Sequence, residues 1–227
     1  MNKYKYQMHA HTRPCSDCSA MYPEELMSAL AEGGYSGCVI TNHFMHGNTG
    51  IPRRIPWEDF VREYELDFLE CKKYAEIYGV DVIFGVEEGI GDGLEILCYG
   101  ITPEVLYEHP ELRYMDAEIW YEVMDSCGAL CIQAHPFRDR PYIREPLVLP
   151  PGLIDGIEVF NYENTYEENL RAKEFASEFS GLILVSGADT HIPETACRAG
   201  IETNRRITNE KELVEVLVSG EYSLIEE

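Results

Sequence analysis

The sequence lacks long apolar runs and is poor in basic residues. Nowhere do about 18 apolar residues follow one another, as a membrane-spanning helix requires, and the start MNKYKYQMHAH has no apolar centre typical of a secretory signal. We therefore expect a cytoplasmic protein without a membrane segment. Only 18 Lys and Arg stand against 41 Asp and Glu, and the formal net charge is −23. Because this charge repels a phosphate backbone, binding of extended nucleic acid is disfavoured.

Linker-like segments and internal repeats are also missing. No stretch rich in Pro, Gly or Ser divides the chain, and 227 residues are enough for one substantial core. We expect one domain over residues 1–227, and the sequence does not indicate an oligomeric state. Eight cysteines without a secretory signal predict reduced thiols. Cys15 and Cys18 form a lone C-x-x-C, which we interpret as incidental rather than as a redox or zinc pair.

Short β-branched runs alternate with longer amphipathic stretches, as in parallel α/β folds. Seven strands are predicted, at residues 4–10, 37–42, 80–87, 95–100, 129–134, 156–161 and 182–188. Five helices are predicted, at residues 23–32, 57–78, 116–126, 165–179 and 209–219. Two long connections, residues 44–56 and 136–152, follow strand ends, where α/β barrels place their active sites.

Five of the seven histidines lie at or just beyond the end of a predicted strand, and His46 and His109 are the exceptions. The five are His9, His11, His43, His135 and His191, accompanied by the strand-end acids Glu87 and Asp189. Residues two apart on a strand point to the same side, so His9 and His11 can face one ion. A single such histidine is more often a hydrogen-bonded structural residue, but seven potential ligands at equivalent strand ends favour a metal site.

The motifs MHAHT, TNH, GVE, AHP and GADTH, in this order along nearly the whole chain, resemble those of the polymerase and histidinol phosphatase (PHP) family. The resemblance implies an α/β fold, a distorted (β/α)7 barrel with a trinuclear metal site at the C-terminal ends of the strands. By position it assigns ligands to three ions: His9, His11, Glu87 and Asp189 to one, Glu87 and His135 to a second, and His43 and His191 to a third. Asp17 and Glu95 are further expected ligands. Asp17 comes one residue later than the usual spacing, and Glu95 stands where many members have histidine.

Nitrogen and oxygen ligands suit two or three divalent ions of zinc, manganese or iron. Such ions lower the pKa of bound water, so we expect a hydroxide that bridges two ions to attack phosphorus. His191 or Asp189 is expected to protonate the leaving oxygen, and the sequence does not choose between them.

Seven of twelve arginines fall in loops that follow ligand-bearing strands. Because a guanidinium can grip phosphate oxygens with two hydrogen bonds, Arg13, Arg138 and Arg198 are predicted to bind a substrate phosphate. The alternative for each is that it balances neighbouring acids such as Asp139 and Glu145.

These observations predict a metal-dependent phosphoesterase for a small phosphomonoester, such as a nucleotide or a histidinol-phosphate-like compound. A metal-dependent amidohydrolase or lactonase is the nearest alternative, although no strand ends in a lysine that could bridge ions once carbamylated. A non-catalytic, metal-binding regulatory module is the other alternative.

Overall fold

The computed structural model describes residues 3–114 and 116–227, and in them one sheet of nine strands curves into a nearly closed barrel. The strands are β1 Tyr4–Ala10, β2 Gly37–Ile40, β3 Asp81–Gly91, β4 Leu94–Tyr99, β5 Leu130–Gln133, β6 Gly156–Asn161, β7 Ile183–Gly187, β8 Ala199–Thr203 and β9 Tyr222–Glu226. Their order in the sheet is β7-β6-β5-β4-β3-β2-β1-β8-β9. The predicted fold class, a distorted α/β barrel, is confirmed.

The barrel closes where the first and last motif-bearing strands meet. Thr190, just beyond β7, forms a parallel bridge with Ala10 at the end of β1. The amide of His11 donates to the carbonyl of Thr190 at 3.0 Å, and the amide of Thr190 donates to the carbonyl of His9 at 3.1 Å. This closure brings the Asp189–His191 segment beside the two histidines of β1.

Strand β4 runs opposite to its neighbours, which the sequence did not indicate. It pairs antiparallel with both β3 and β5, whereas β1, β2 and β3 pair in parallel, as do β5, β6 and β7. The β3–β4 turn has no helix and passes through Gly91 and Gly93, whose φ angles of 100° and 81° favour glycine. Because β4 is reversed, its first residues, including Glu95, lie at the C-terminal ends of β3 and β5.

Within the described residues, six α-helices surround the sheet: α1 Pro23–Glu32, α2 Trp57–Tyr78, α3 Pro103–Glu108, α4 Ala117–Ser126, α5 Tyr166–Glu178 and α6 Glu210–Ser219. Local signals explain several of their ends. Thr165 and Glu168 form a capping box at the start of α5, Asn209 caps α6, and Gly79 ends α2 in the left-handed conformation. The five predicted helices are confirmed to within one residue at each end. Short α3 and the strands β8 and β9 were not predicted.

The long connection after β2 is anchored by Phe44, whose side chain is fully buried. Its ring centroid lies 5.0 Å from that of Tyr64 and 5.2 Å from that of Phe60, both on α2, in edge-to-face contacts. This anchor fixes the backbone beside His43 and His46. In the described part of the chain, no helix is both long and apolar enough to cross a membrane.

Candidate metal centre

Five imidazoles and three carboxylates converge at the C-terminal end of the barrel. They are His9, His11, His43, Glu87, Glu95, His135, Asp189 and His191, and all but Glu95 and His191 are buried. Two of these residues have left-handed φ angles that are uncommon outside glycine, 31° at His135 and 52° at Asp189. Because backbone strain of this kind concentrates at functional sites, it marks both residues as part of one.

We call His9, His11, Glu87 and Asp189 the inner group. The Nε2 atom of His9 lies 3.2 Å from Oε1 of Glu87 and 3.4 Å from Oδ1 of Asp189. The Nε2 atom of His11 lies 3.3 Å from Oε2 of Glu87 and 3.2 Å from the same Asp189 oxygen. Two ligand atoms bonded at about 2.0–2.2 Å to one tetrahedral ion would be separated by roughly 3.3–3.5 Å, so this spacing suits a shared cation.

We call His43, Glu95 and His191 the outer group, because their side chains are 9%, 17% and 27% exposed. Nδ1 of His43 lies 2.8 Å from Oε2 of Glu87 and 3.3 Å from Oε1 of Glu95. His135 lies between the groups, with Nε2 3.2 Å from Glu87 and 3.3 Å from Glu95. Glu87 therefore reaches into both groups, as expected of a bridging carboxylate.

The hydrogen bonds of the ring nitrogens leave one nitrogen of each inner histidine for a ligand. Nδ1 of His9 donates to Oε1 of Glu158 at 3.0 Å, and Nδ1 of His11 donates to Oγ of Ser16 at 3.1 Å. The opposite Nε2 atoms are buried and have no hydrogen bond, although carboxylate oxygens lie close by. Nδ1 of His43 is likewise buried and has no hydrogen bond. Buried nitrogens that face oxygens without hydrogen-bond alignment fit divalent cations, which would accept all these lone pairs at once.

The carboxylates of the inner group are held in the ionised form that a cation requires. Burial alone would raise the pKa of Glu87, but His9 and His43 outweigh it and hold that pKa well below its usual range. Burial likewise opposes ionisation of Asp189, whose pKa is nevertheless lowered by His9 and by the Arg138 guanidinium. Both carboxylates can thus act as ligands at neutral pH.

Glu158 contacts two histidines of the centre, and its place there was not predicted from the sequence. Fully buried on β6, it accepts from Nδ1 of His9 through one oxygen and from the His135 amide at 2.9 Å through the other. Gly187 makes room for this carboxylate, because a Cβ there would come within 2.1 Å of Oε1 of Glu158. The available signal was a lone acid within the apolar strand sequence GIEVFN.

A second support links the ends of β1 and β2. The Asn42 side chain accepts from the Thr12 amide at 2.7 Å and donates to Oδ2 of Asp67 at 2.7 Å. The Thr12 hydroxyl donates to the same Asp67 oxygen at 2.6 Å. Asp67, buried on α2, therefore ties together the residues next to His11 and His43.

Asp17, an expected ligand, lies outside the two groups. Its side chain is 67% exposed, and its carboxylate faces Arg13 at 3.7 Å. The next residue, Cys18, is exposed at the cavity and places Sγ 3.1 Å from Nε2 of His191. Burial would raise the pKa of the Cys18 thiol, but contacts with His191 and His43 outweigh it and lower that pKa to about 7. Cys15, in contrast, is buried, and the interpretation of the C-x-x-C pair as incidental stays a prediction.

The three arginines predicted to bind phosphate have different environments. Arg138 is buried and donates to Oδ2 of Asp189 at 2.8 Å and to Asn161 and Asn164, so its guanidinium positions an expected ligand. Arg13 pairs with Asp17, and Arg198 is exposed beyond the centre. Of the three, Arg138 lines the cavity over the centre, together with Arg53.

That cavity has a volume of about 640 Å³ and opens directly over the outer group. Its lining includes Cys18, His43, His46, Arg53, Glu87, Glu95, His135, Tyr142, Asp189 and His191. His46 is held there by Glu88, whose Oε1 lies 2.5 Å from Nδ1 of His46. Burial raises the pKa of Glu88 to about 7, against the opposing effect of His46. A molecule of a few tens of atoms fits this volume.

No protein-family model and no curated protein matches the sequence. Among solved structures, a two-domain protein from Bacteroides vulgatus, described as containing a predicted PHP-like metal-dependent phosphoesterase, matches with a TM-score of 0.71 and 16% identity. The match covers 99% of this chain and 65% of that protein. This chain therefore spans slightly less than two thirds of the length of that relative.

Two other solved structures differ in their described activities. An amidohydrolase from Chromobacterium violaceum matches with a TM-score of 0.59 and 14% identity over 96% of this chain and 97% of its own. A lesion-specific endonuclease from Pyrococcus furiosus matches with a TM-score of 0.63 and 13% identity over 98% of this chain and 58% of its own. At such identities the likeness shows the fold alone, and the chain has the fold of PHP-like phosphoesterases.

Proposed function

We propose that this chain is a metal-dependent phosphoesterase that hydrolyses small phosphomonoesters. The observation that carries the proposal is the convergence of buried ring nitrogens without hydrogen bonds on Glu87 and Asp189, beneath an open cavity. We also propose that the chain works as a single domain over residues 1–227. The cysteines of the described residues are free thiols, which supports the expected cytoplasmic location.

The residues present suit two or three ions of zinc, manganese or iron. His9, His11, Glu87 and Asp189 would hold one, and Glu87, Glu95 and His135 a second, with His43 and His191 available to a third. When bound, such ions supply a nucleophilic water of lowered pKa and neutralise charge on the phosphoryl oxygens. The chain contributes the preset geometry, because Glu158 and Arg138 fix the orientation of His9 and Asp189 before substrate arrives.

Of the two candidates for the general acid, we propose His191. Asp189 is ionised, and both its oxygens face cationic or ligand nitrogens. His191 is partly exposed at the cavity, and its pKa is raised because Asp189 and Cys18 outweigh the opposing effect of burial. In the form that holds only the two inner ions, a protonated imidazole at this position can donate to the leaving oxygen.

The cavity favours a small substrate over a polymer. Two arginines line the cavity, Arg53 and Arg138, and Arg138 is paired with Asp189. The Arg53 guanidinium donates to the carbonyls of Met45 and Gly47. Arg53 could add contacts to a substrate phosphate through its remaining donors. The net charge of −23 opposes extended nucleic acid, although one neighbour with this fold is an endonuclease.

A panel assay tests the proposal. The purified protein, loaded with manganese or zinc, is given nucleoside monophosphates, histidinol phosphate, p-nitrophenyl phosphate, a duplex containing an abasic site, and lactone and amide substrates. We expect phosphate release from the monoesters that stops with chelator and in His9→Ala, while His109→Ala, which changes an imidazole outside the centre, stays active. Full phosphatase activity in chelator would overturn the proposal. Turnover of only lactones or amides would favour the amidohydrolase alternative, which the Chromobacterium violaceum neighbour keeps open.

A further inference from the structure

Cys18 places a sulfur atom at the centre, where the sequence pattern leads one to expect an oxygen. Sγ of Cys18 lies 3.1 Å from Nε2 of His191 and lines the same cavity as His43 and His191. The loop around it is fixed by an isolated bridge between Ser16 and Thr49 and by a hydrogen bond from the Asp17 amide to the Asn48 carbonyl at 3.0 Å. This arrangement turns the Asp17 carboxylate towards Arg13 and leaves the exposed Cys18 side chain in the lining of the cavity.

The orientation of the His191 ring leaves a lone pair on its Nε2 atom, beside the Cys18 sulfur. Nδ1 of His191 donates its hydrogen to the backbone carbonyl of Asp189 at 2.7 Å. In this tautomer, Nε2 carries a lone pair that faces the sulfur. Two lone-pair atoms so close together are either joined by the thiol hydrogen or bound to a common cation.

Ring nitrogens of neighbouring histidines favour a common cation over a thiol hydrogen bond. One ring nitrogen each of His11, His43 and His191 lies within 4.8 Å of the others. Nδ1 of His43, whose side chain is 9% exposed, is buried without a hydrogen bond. The His43 ring also contacts the Cys18 sulfur, so this imidazole, Cys18 and His191 border one space.

We propose that Cys18 binds, through its thiolate sulfur, the ion held by His43 and His191, so that this outer position prefers zinc over manganese. On binding, the thiol loses its proton to solvent and the sulfur forms one bond to the ion. Thiolate ligands favour zinc and other soft ions, whereas manganese prefers oxygen. The inference rests on the metal-dependent function proposed above and assigns the ligand that Asp17 does not supply.

Cobalt(II) titration of the metal-free full chain tests the inference, because visible d–d bands report cobalt binding and a near-ultraviolet charge-transfer band reports a sulfur–cobalt bond. Wild type is expected to show both. Cys18→Ser should keep the d–d bands of the inner ion, lose the charge-transfer band, and bind the outer ion at least about tenfold more weakly. Cys127→Ser is the matched control, because Cys127 is an exposed cysteine whose sulfur lies 3.9 Å from Nε2 of His109, away from the centre.

Cys18→Asp provides the complementary variant, since it replaces sulfur with an oxygen ligand. It is expected to restore outer-ion binding without the charge-transfer band and to shift the preference towards manganese. Zinc should also slow alkylation of Cys18, measured by mass spectrometry, without changing that of Cys127. Cobalt d–d bands without a charge-transfer band in wild type, or an unchanged band in Cys18→Ser, would overturn this inference alone. Wild type that binds no cobalt would overturn the metal-dependent function as well.

Discussion

The inner and outer groups of the centre share Glu87 but differ in their surroundings. The side chains of His9, His11 and Glu87 are fully buried, and that of Asp189 is 5% exposed. Two of these four have a charged partner outside the centre, Glu158 for His9 and Arg138 for Asp189. The outer group borders the cavity, and within the described residues no comparable buried carboxylate or guanidinium outside the centre contacts its imidazoles.

The difference indicates that the inner group binds a cation tightly and that the outer group exchanges ions and contacts substrate. A fully desolvated, pre-oriented ligand set binds a cation tightly, because its geometry costs nothing further when the ion arrives. A partly exposed set permits exchange of ions and contact with substrate. We expect changes in the inner group to abolish metal binding and changes in the outer group to alter its selectivity.

The largest effect is expected from Glu87→Gln, because Glu87 is common to both groups. Loss of this negative charge should reduce kcat/KM for p-nitrophenyl phosphate more than about 1000-fold, or roughly 4 kcal/mol. Metal content measured by mass spectrometry should fall with it. Glu88→Gln, a change at the adjacent buried glutamate that faces His46, should leave the metal content unchanged. A Glu87→Gln protein with normal metal content and activity would contradict the claim that Glu87 is a ligand common to both groups.

The effect of Arg138→Ala on the free energy of unfolding should depend on whether metal is bound to the inner group. Without metal, Asp189 would be left as a buried charge among imidazoles, at a cost of about 3–5 kcal/mol in unfolding free energy. Bound cations should offset part of that cost. Urea denaturation in chelator and in manganese measures both values. Arg140→Ala, at a more exposed pair with Glu168, should cost about 0–1 kcal/mol under either condition. Equal losses with and without metal at Arg138 would contradict the account.

Glu158→Gln tests the support of His9 without removing a ligand. The amide cannot match the carboxylate as an acceptor from Nδ1, so metal affinity should fall by about 10–100-fold while the fold persists. Competition with a fluorescent chelator measures the affinity. Glu163→Gln, at an exposed residue two positions beyond β6, is the control. Unchanged affinity in Glu158→Gln would mean that His9 needs no outside partner.

The smallest effect is expected at Asp67, which links the loops carrying the two groups. Burial raises its pKa to about 6, against hydrogen bonds from Thr12 and Asn42 that lower it. A carboxyl whose pKa is higher in the folded state binds protons more tightly there, so this residue's contribution to stability declines as pH rises from about 4 to 6. Asp67→Asn should remove that decline, on the order of 1–2 kcal/mol. Denaturation of both proteins at pH 4.5 and 7 measures it, and identical pH profiles would refute it.

The sequence predicted the strands and helices whose signals are local. Thr165, Asn209 and Gly79 mark helix ends through their own side chains or backbone, and those ends were confirmed. The reversal of β4 was not predictable in this way, because strand direction depends on the tight Gly91–Gly93 turn and on pairing with distant strands. Strand β9 is partly exposed at the sheet edge, and the short, mostly buried β8 has the sequence AGIET, so neither has a strong apolar pattern.

The centre follows the same rule. Strand-end positions brought His9, His11, Glu87 and Asp189 together, as their motifs suggested. Cys18 contacts His191, whereas Asp17 faces Arg13. Which of the two side chains reaches the centre depends on how the loop folds against Asn48 and Thr49, which are remote in sequence. The pairing of Arg138 with Asp189 depends likewise on barrel closure.

Anomalous X-ray diffraction from crystals grown with manganese, and separately with zinc, would test the central claim most directly. The account predicts a strong peak within bonding distance of His9, His11, Glu87 and Asp189, and a further one or two peaks beside Glu95, His135, His43 and His191. Crystals soaked in excess of both metals that showed no anomalous peak at Glu87 would contradict it.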